Sequence, residues 1–424
     1  MFLLYSFLYS IAIIFLLPFE YFKRPKEIRK RWLKEKCGRF NASSGPHPSS
    51  LIWVHAVSVG EVMAALPLIK RLRERYPSKQ IVLSTITDTG QKVAREQASE
   101  GTAVVYLPFD IPFILKNVLI RRKPDVLLII ETELWPNLCR VFKENHVPVI
   151  LMNGRISENS FNGYKKLSFF MRDVLSYIDM FCMQSAEYAE RIRLLGVESS
   201  RITIAGNFKF DTRPPAATPA WTKKIRGPVI VAGSTHEGEE ELLASVYVSL
   251  QKDIPDLNLV IAPRHPERFR DVAELLTSKK YPLIKRSGIE TLSGLKTLQG
   301  TIILLDTVGE LSAVYGIGDI AIIGKSFRGY GGQNPLEPAY WGKPIICGPH
   351  MENFPVTKDF QNAGAVLIVE EENLYAQLDA LLRSPEKARE IGTKALELYR
   401  NNEGAVERAL KIIAPYLHAQ ESLE

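Results

Sequence analysis

The stretch HAVSVGE, His55–Glu61, places a glutamate three residues after a serine. Two readings fit it. Ser58 and Glu61 match the S-x-x-E capping box, in which each side chain pairs with the other residue's backbone N–H. A glutamate displayed just after an apolar run is equally a candidate general base. A helix N-terminus favours the ionised carboxylate, so Glu61 is expected to be charged at neutral pH and not unusually basic. ETELWPN, residues 131–137, closes another apolar run with two carboxylates, Glu131 and Glu133. Charges at the end of a buried strand need a partner or a role, unless they are simply exposed. GNFKFD and NGRIS place Lys209 and Arg155 at similar run ends.

The second half offers anion chemistry. PRHPE supplies Arg264 and His265 after LNLVIA. Arginine presents a planar fork suited to phosphate, and an ordinary basic loop is the plainer alternative. Three further boxes follow apolar runs: Ser234/Glu237, Thr307/Glu310 and the Asn-led Asn334/Glu337. Capping is their simplest use. A capped helix start also leaves N–H groups pointing outward and can seat an anion. TVGE (with Val308, Gly309 and Glu310) and NPLE (Asn334, Pro335, Leu336, Glu337) therefore suit phosphate or nucleotide. Pro335 at a first helical position costs no hydrogen bond, and the GGQ before it lets a ligand approach the backbone. No G-x-G-x-x-G opens a helix, GYGG lacks the Walker lysine, and no D-x-D pair sits in a suitable loop. Neither a dinucleotide cofactor nor a bound divalent metal is implied.

Alternating elements must position these groups. LIWVHAV, QIVLSTIT, AVVYLPFD, DVLLIIE, VPVILMNGR, MFCMQS and RITIAGNFKFD precede a Pro-rich break at 211–228. PVIVAGS, LNLVIAPRH, TIILLDT, DIAIIGKS, KPIICGPH and AVLIVE follow it. Apolar strands separated by helix-length segments indicate parallel sheets covered on both faces. Ligands of such sheets bind at the carboxyl ends of the strands, where most of the candidates fall. A helix is expected over Glu61–Arg75, with Pro67 kinking it or moving its start. A last helical stretch runs from Pro385 to about Leu417, long enough to pack back on the first domain. The expected organisation is a membrane anchor at 1–22, a basic segment and loop at 23–50, and an N-terminal α/β domain at 51–213. A linker at 214–228 and a C-terminal α/β domain at 229–424 complete it.

Composition narrows the partners. The chain has 424 residues, 46% hydrophobic and 24% charged, with four scattered cysteines and no Cys-x-x-Cys. Zinc knuckles and dithiol redox motifs are therefore not written here. The net charge of +7 is almost all in residues 20–39, where nine Lys/Arg face three Glu. A nucleic-acid-binding face would spread basic charge more widely. Residues 2–19 are eighteen positions without a charge, roughly 27 Å as a helix and close to a hydrocarbon thickness. A cleaved signal lacks its usual basic start here, and a core helix would not be followed by so basic a cluster. The reading is a single-pass anchor with the basic cluster, and hence the body, on the cytoplasmic side. The same cluster, Trp32 included, suits an anionic lipid surface.

Taken in register, HAVSVGE, ETELWPN, NGRIS, GNFKFD, PRHPERF, DTVGEL and GGQNPLEPA resemble the 3-deoxy-D-manno-octulosonic acid (Kdo) transferases, from the N-terminal anchor nearly to the C-terminus. The resemblance implies a GT-B fold: two Rossmann-like domains facing a central cleft, acceptor site in the first, sugar-nucleotide site in the second. It implies transfer of Kdo from CMP-Kdo to a lipid A precursor (lipid IVA) at the cytoplasmic face of the inner membrane, with no metal and no cofactor. By the same resemblance Glu61 is the general base, and Glu131 and Lys209 stabilise the transition state. Arg264, His265, Val308–Glu310 and Asn334–Glu337 bind CMP, while Arg155 has no assigned role. Another GT-B sugar transferase, a nucleotide-sugar epimerase and a membrane-tethered binding module are the alternatives.

Overall fold

The computed structural model describes residues 1–40, 50–212, 214–215, 217–290 and 297–418. The chain divides into two units, Met1–Thr212 with the segment from Glu403 onward, and Arg213–Asn402.

The first unit is built on seven parallel strands: β1 (Leu51–His55), β2 (Gln80–Thr85), β3 (Thr102–Tyr106), β4 (Val126–Ile130), β5 (Val149–Gly154), β6 (Met180–Met183) and β7 (Ile202–Ile204). Their order is β3-β2-β1-β4-β5-β6-β7. Every residue of β1, β4 and β5 is buried, as central strands covered on both faces must be. Leu51 and Trp53 enter one core, while Ile52 and Val54 enter the other, the period-two alternation of a strand. At the amino edge, Lys79 and Asp125 pair inside the protein at 3.4 Å with Ser50 between them. That charge is structural.

Three helices shape the N-terminal side: α1 (Phe2–Lys23), α2 (Lys26–Lys36) and α3 (Val59–Arg75). α3 begins two residues before the expected start and carries Pro67 inside it. α1 is long and apolar enough to cross a membrane, with mean hydropathy 2.2 over its apolar window. α2 is not a loose basic tether. Trp32 is only 2% exposed and packs with Tyr106 and Phe109, and Glu35 accepts from the Tyr106 N–H at 2.8 Å. The expectation that Trp32 faces lipid is thereby overturned, because burying so large a ring in the core outweighs an interfacial site.

The second unit repeats the plan with β8 (Val229–Thr235), β9 (Asn258–Pro263), β10 (Leu283–Lys285), β11 (Ile302–Leu304), β12 (Ile320–Ile323), β13 (Ile345–Cys347) and β14 (Val366–Ile368). The order is β10-β11-β9-β8-β12-β13-β14, again all parallel. All thirteen apolar runs are strands. Among the described residues β10 is the unanticipated one, three residues at a sheet edge with too little apolar sequence to announce itself.

The expected single helix from Pro385 is two helices, Pro385–Asn402 and Ala405–His418. The break falls at Gly404, whose φ of 83° lies in the region glycine alone enters without strain. Ala405, Ala409, Ile413 and Leu417 of the second helix are buried in the core of the first unit beside Val54 and Leu68.

Candidate functional site

In the first unit the strand order reverses between β1 and β4, the place where open α/β sheets hold their ligands. Glu61 follows β1 and Glu131 follows β4. The local fold at Glu61 resembles the expected cap but differs in one partner. Ser58 is the N-cap, and its Oγ lies 3.5 Å from the Glu61 N–H. In return Glu61 Oε1 accepts from the Ser58 hydroxyl at 2.8 Å, and Oε2 accepts from the Val57 N–H at 2.7 Å. Both carboxylate oxygens are thus oriented, one of them by the residue before the cap.

Its electrostatics overturn the sequence expectation. Burial pushes the Glu61 carboxyl up to about 7, beyond what the Val57 and Ser58 hydrogen bonds can offset. The charges of Glu133 and Glu131 push it further the same way. Desolvation and like charge win over the helix terminus, which is worth about a kcal/mol at most in exposed positions. Glu133 is itself raised by burial and by Glu131. The three carboxylates therefore share one site. His55 does not compete as a base. It is fully buried and held near 3 by burial, with Nδ1 3.0 Å from Ser84 Oγ.

The remaining candidates of this unit are brought in by neighbouring loops. Glu131 sits in the left-handed region at φ 59° while its N–H donates to Met152 O at 2.8 Å. A non-glycine residue held there stores roughly 1 kcal/mol or more, a pattern met at functional sites. Thr132 Oγ1 donates to Arg155 O and accepts from the Arg155 N–H at 3.3 Å, fastening the Arg155 loop to the carboxylates. Lys209 is half-buried in the turn Phe208–Asp211, which packs on α3. That turn hangs on Asn153, fully buried at φ 54°, whose Oδ1 accepts from the Phe208 N–H at 3.0 Å. The sequence reading passed over Asn153, although it is the first letter of NGRIS. Asparagine is among the few residues that tolerate its backbone geometry.

The second unit has its reversal between β8 and β12. The expected Ser234/Glu237 box does not form. Ser234 lies at φ 57°, and the helix Glu239–Gln251 starts later, behind Gly238. Glu239 takes the role instead, accepting from the His236 N–H at 2.9 Å. It also accepts from the N–H groups of Lys325, Ser326 and Phe327 at 2.7–3.1 Å, so a buried carboxylate organises the loop after β12. Further along that loop Gly331 is obligatory. Its φ is 111°, and a side chain there would collide with Asn353.

Arg264 and His265 follow β9 and are exposed. The Arg264 N–H donates to Thr235 O at 3.0 Å, and the His265 ring meets His236 edge-on at 5.3 Å. Glu310 is clamped. Arg286 donates to both its oxygens at 2.9 and 3.0 Å, and Thr307 adds a third bond at 2.6 Å. These bonds hold it below its ordinary value against the opposing effect of burial. What the loop presents outward is Val308, 78% exposed, and Gly309, at φ 92° with open space around it. Asn334 Oδ1 accepts from the Leu336 N–H at 3.1 Å, and Glu337 is raised by burial while Arg264 pulls it down. The helices after these two loops, Leu311–Val314 and Leu336–Tyr340, are four and five residues long. The expected helix-terminal field is therefore small, and exposed backbone N–H groups are what remain. A pocket lined by Asp319, Lys343 and Arg389 opens at the amino ends of the strands, the edge opposite these loops.

The comparisons with known proteins agree with this architecture. Residues 31–212 match the 3-deoxy-D-manno-octulosonic-acid transferase (kdotransferase) family. A 3-deoxy-D-manno-octulosonic acid transferase of Haemophilus influenzae is 34% identical over 394 residues, 91% of either chain. One of Bordetella pertussis is 31% identical, covering 96% of this chain and 99% of its own. Among solved structures, a Staphylococcus aureus MnaA–UDP complex superposes with TM-score 0.57 at 17% identity, over 87% of this chain and 97% of that one. Acinetobacter baumannii MurG does so with TM-score 0.55 at 12% identity, over 87% and 100%. Such low identities speak for the fold, which is GT-B, whereas the near full-length sequence matches speak for the activity: this chain belongs to the Kdo transferases, glycosyltransferases that move a Kdo sugar.

Proposed function

We propose that the chain transfers Kdo from CMP-Kdo to a lipid A precursor, lipid IVA, at the cytoplasmic face of the inner membrane, to which α1 attaches it. The transfer is a single displacement that inverts the anomeric carbon and uses no metal. The observation that carries the reading is the Glu61 carboxylate, buried, doubly oriented and raised to about 7. An acceptor hydroxyl is a poor nucleophile until a positioned base takes its proton, and a base of pKa near 7 suits that task near neutral pH, typically by 10²–10⁴-fold.

The proton passes from the acceptor hydroxyl to Glu61 as the hydroxyl oxygen bonds to the anomeric carbon and CMP departs with the bonding pair. Glu131 faces the positive charge that develops on the sugar ring, and the Lys209 ammonium offsets the negative charge of the Kdo carboxylate or the leaving phosphate. Arg264, His265 and the backbone at Val308–Glu310 and Asn334–Glu337 hold CMP, with the Arg286–Glu310 clamp keeping the first of those loops in shape. Metal independence follows from the resemblance and is tested by a chelator, which should leave the rate unchanged.

The deciding experiment is radiolabelled transfer from CMP-Kdo to lipid IVA by the purified full chain. Labelled lipid is the expected product. No transfer to intact acceptor, or a trapped covalent Kdo–protein adduct, overturns the proposal.

A further inference from the structure

α1 does not stand away from the protein. Both of its ends are fastened to the first unit. At the start, the Phe2 ring lies 5.3 Å from that of Phe170, with the Arg140 guanidinium 4.9 Å over it. Tyr5 donates to Asp110 at 2.8 Å, Ser6 lies 3.1 Å from Asn137, and the Asp110 N–H donates to the Tyr9 hydroxyl at 3.3 Å. Ile13, Leu17 and Tyr21 pack on Trp32 and Phe109 farther along. At the far end Arg24 meets Asp88 at 3.1 Å and lies 4.2 Å over Trp32. Twenty-two residues at about 1.5 Å each make this contact roughly 33 Å long.

The two faces of α1 differ in kind. Tyr5, Ser6, Tyr9 and Tyr21 turn toward the protein. The opposite face shows apolar side chains, among them Leu4, Leu8, Phe15 and Phe19, each more than half exposed, up to the exposed Lys23 that closes the helix. The first unit carries further exposed apolar side chains near the contact. Phe113 and Ile120, 73% and 72% exposed, stand on the helix Pro112–Arg122, whose Ile114 packs in the cluster with α1. Phe169, 74% exposed, neighbours the Phe170 that touches Phe2. Exposed lysines border both ends: Lys165 and Lys166 beside Phe169, and Lys26 and Lys30 on α2.

A helix crossing a bilayer would carry Asp110 and Asn137 into hydrocarbon or leave their bonds unmade, which lipid tolerates poorly. It would also separate the two lysine groups by a membrane. A helix lying in the surface of one leaflet satisfies every one of these contacts, and cations at both ends match anionic headgroups. We propose that α1, with Phe113, Ile120 and Phe169, seats the first unit on a single leaflet of an anionic bilayer, α1 lying in the membrane plane and not across it. This replaces the single-pass orientation read from the sequence, and it does not depend on the transferred sugar.

The test uses the full chain with Cys37→Ser, since the other three cysteines are buried. Leu4→Cys, Leu8→Cys, Phe15→Cys and Phe19→Cys each receive an environment-sensitive dye. Each labelled chain is bound to vesicles of mixed anionic and zwitterionic phospholipid carrying nitroxides at graded depths. All four dyes are expected to be quenched most by the same shallow nitroxide. A crossing helix spreads positions 4 to 19 over roughly 22 Å, so shallow quenching at the ends with deep quenching at positions 8 and 15 overturns the proposal. Absence of quenching at all four does so too, because the face is then covered by something other than lipid. The substituted side chains are exposed, and unchanged thermal unfolding before labelling verifies the fold.

Discussion

Glu61→Gln separates a catalytic carboxylate from a structural one, and the structure sets the size of both effects. Glu61 titrates at about 7 in the folded chain against an ordinary 4.5. The folded carboxyl keeps its proton over a range in which the unfolded chain has lost it. Its contribution to stability is therefore full below about 4.5 and is lost as pH rises through about 7. Integrated between pH 5 and pH 8, those two values give about 2–3 kcal/mol. Glutamine mimics the protonated carboxyl and has no such slope, so the variant should gain on the native chain by up to about 2–3 kcal/mol over that interval. For a unit of this size that is about 5–10 °C in melting midpoint. Activity moves the other way. Transfer by the native chain should rise with an apparent pKa near 7, while the variant loses about 10²–10⁴ in kcat and the rising limb with it. Initial rates with radiolabelled donor and thermal unfolding at pH 5, 6, 7 and 8 measure both. A variant with native turnover and an intact limb would mean that Glu61 only caps α3. A stability difference that stayed flat with pH would instead refute the raised pKa.

Other expectations follow from named contacts. Glu133→Gln removes the like charge with the larger effect on Glu61, so the rising limb of the pH–rate profile should move to lower pH; an unmoved limb would mean the carboxylates are not coupled. Asn153→Ala orphans the buried Phe208 N–H and should cost about 1–3 kcal/mol in urea unfolding, with kcat falling as the Lys209 turn loosens. Glu239→Ala leaves several N–H groups of the 325–327 loop without an acceptor and should destabilise the second unit by at least about 3 kcal/mol, with weaker CMP binding by calorimetry. Replacing Lys26, Lys30 and Lys34 together by Ala should weaken partition onto anionic vesicles by ~3 kcal/mol, about two orders of magnitude, while partition onto zwitterionic vesicles changes little.

Much of the fold is legible in the sequence because parallel strands buried on both faces must be continuous apolar runs. DVLLIIE and VPVILMNGR could hardly be anything else. β10 escaped because a three-residue edge strand takes its identity from its neighbour β11 and not from its own composition. The helix from Pro385 looked continuous because Gly404 is one residue in a long amphipathic stretch, and only its backbone angle reveals the break. Trp32 was misjudged for a related reason: within a basic run its ring looks interfacial, and the core that receives it comes from residues 106–109. The residues of the site were found through strand ends and motif letters. Their partners were not, because Glu133 acting on Glu61, Arg286 on Glu310 and Asn153 on the Lys209 turn are contacts between distant parts of the chain.

The boxes make this last point most sharply. Ser58-x-x-Glu61, Thr307-x-x-Glu310 and Asn334-x-x-Glu337 share one local signature, and in each the leading side chain engages the glutamate. Their glutamates nevertheless end in three electrostatic states. Glu310 is held low because Arg286 arrives with a two-bond fork. Glu337 is raised by burial but lies within reach of the Arg264 charge. Glu61 has no cation among the influences that shift it and two carboxylates pressing on it. A capping box thus fixes where a carboxylate points and says nothing about how readily it takes a proton. At Glu61 the cap aims a carboxylate whose basicity is set first by burial and then by Glu133 and Glu131 after β4, so cap and base are two properties of one residue, supplied by different parts of the fold.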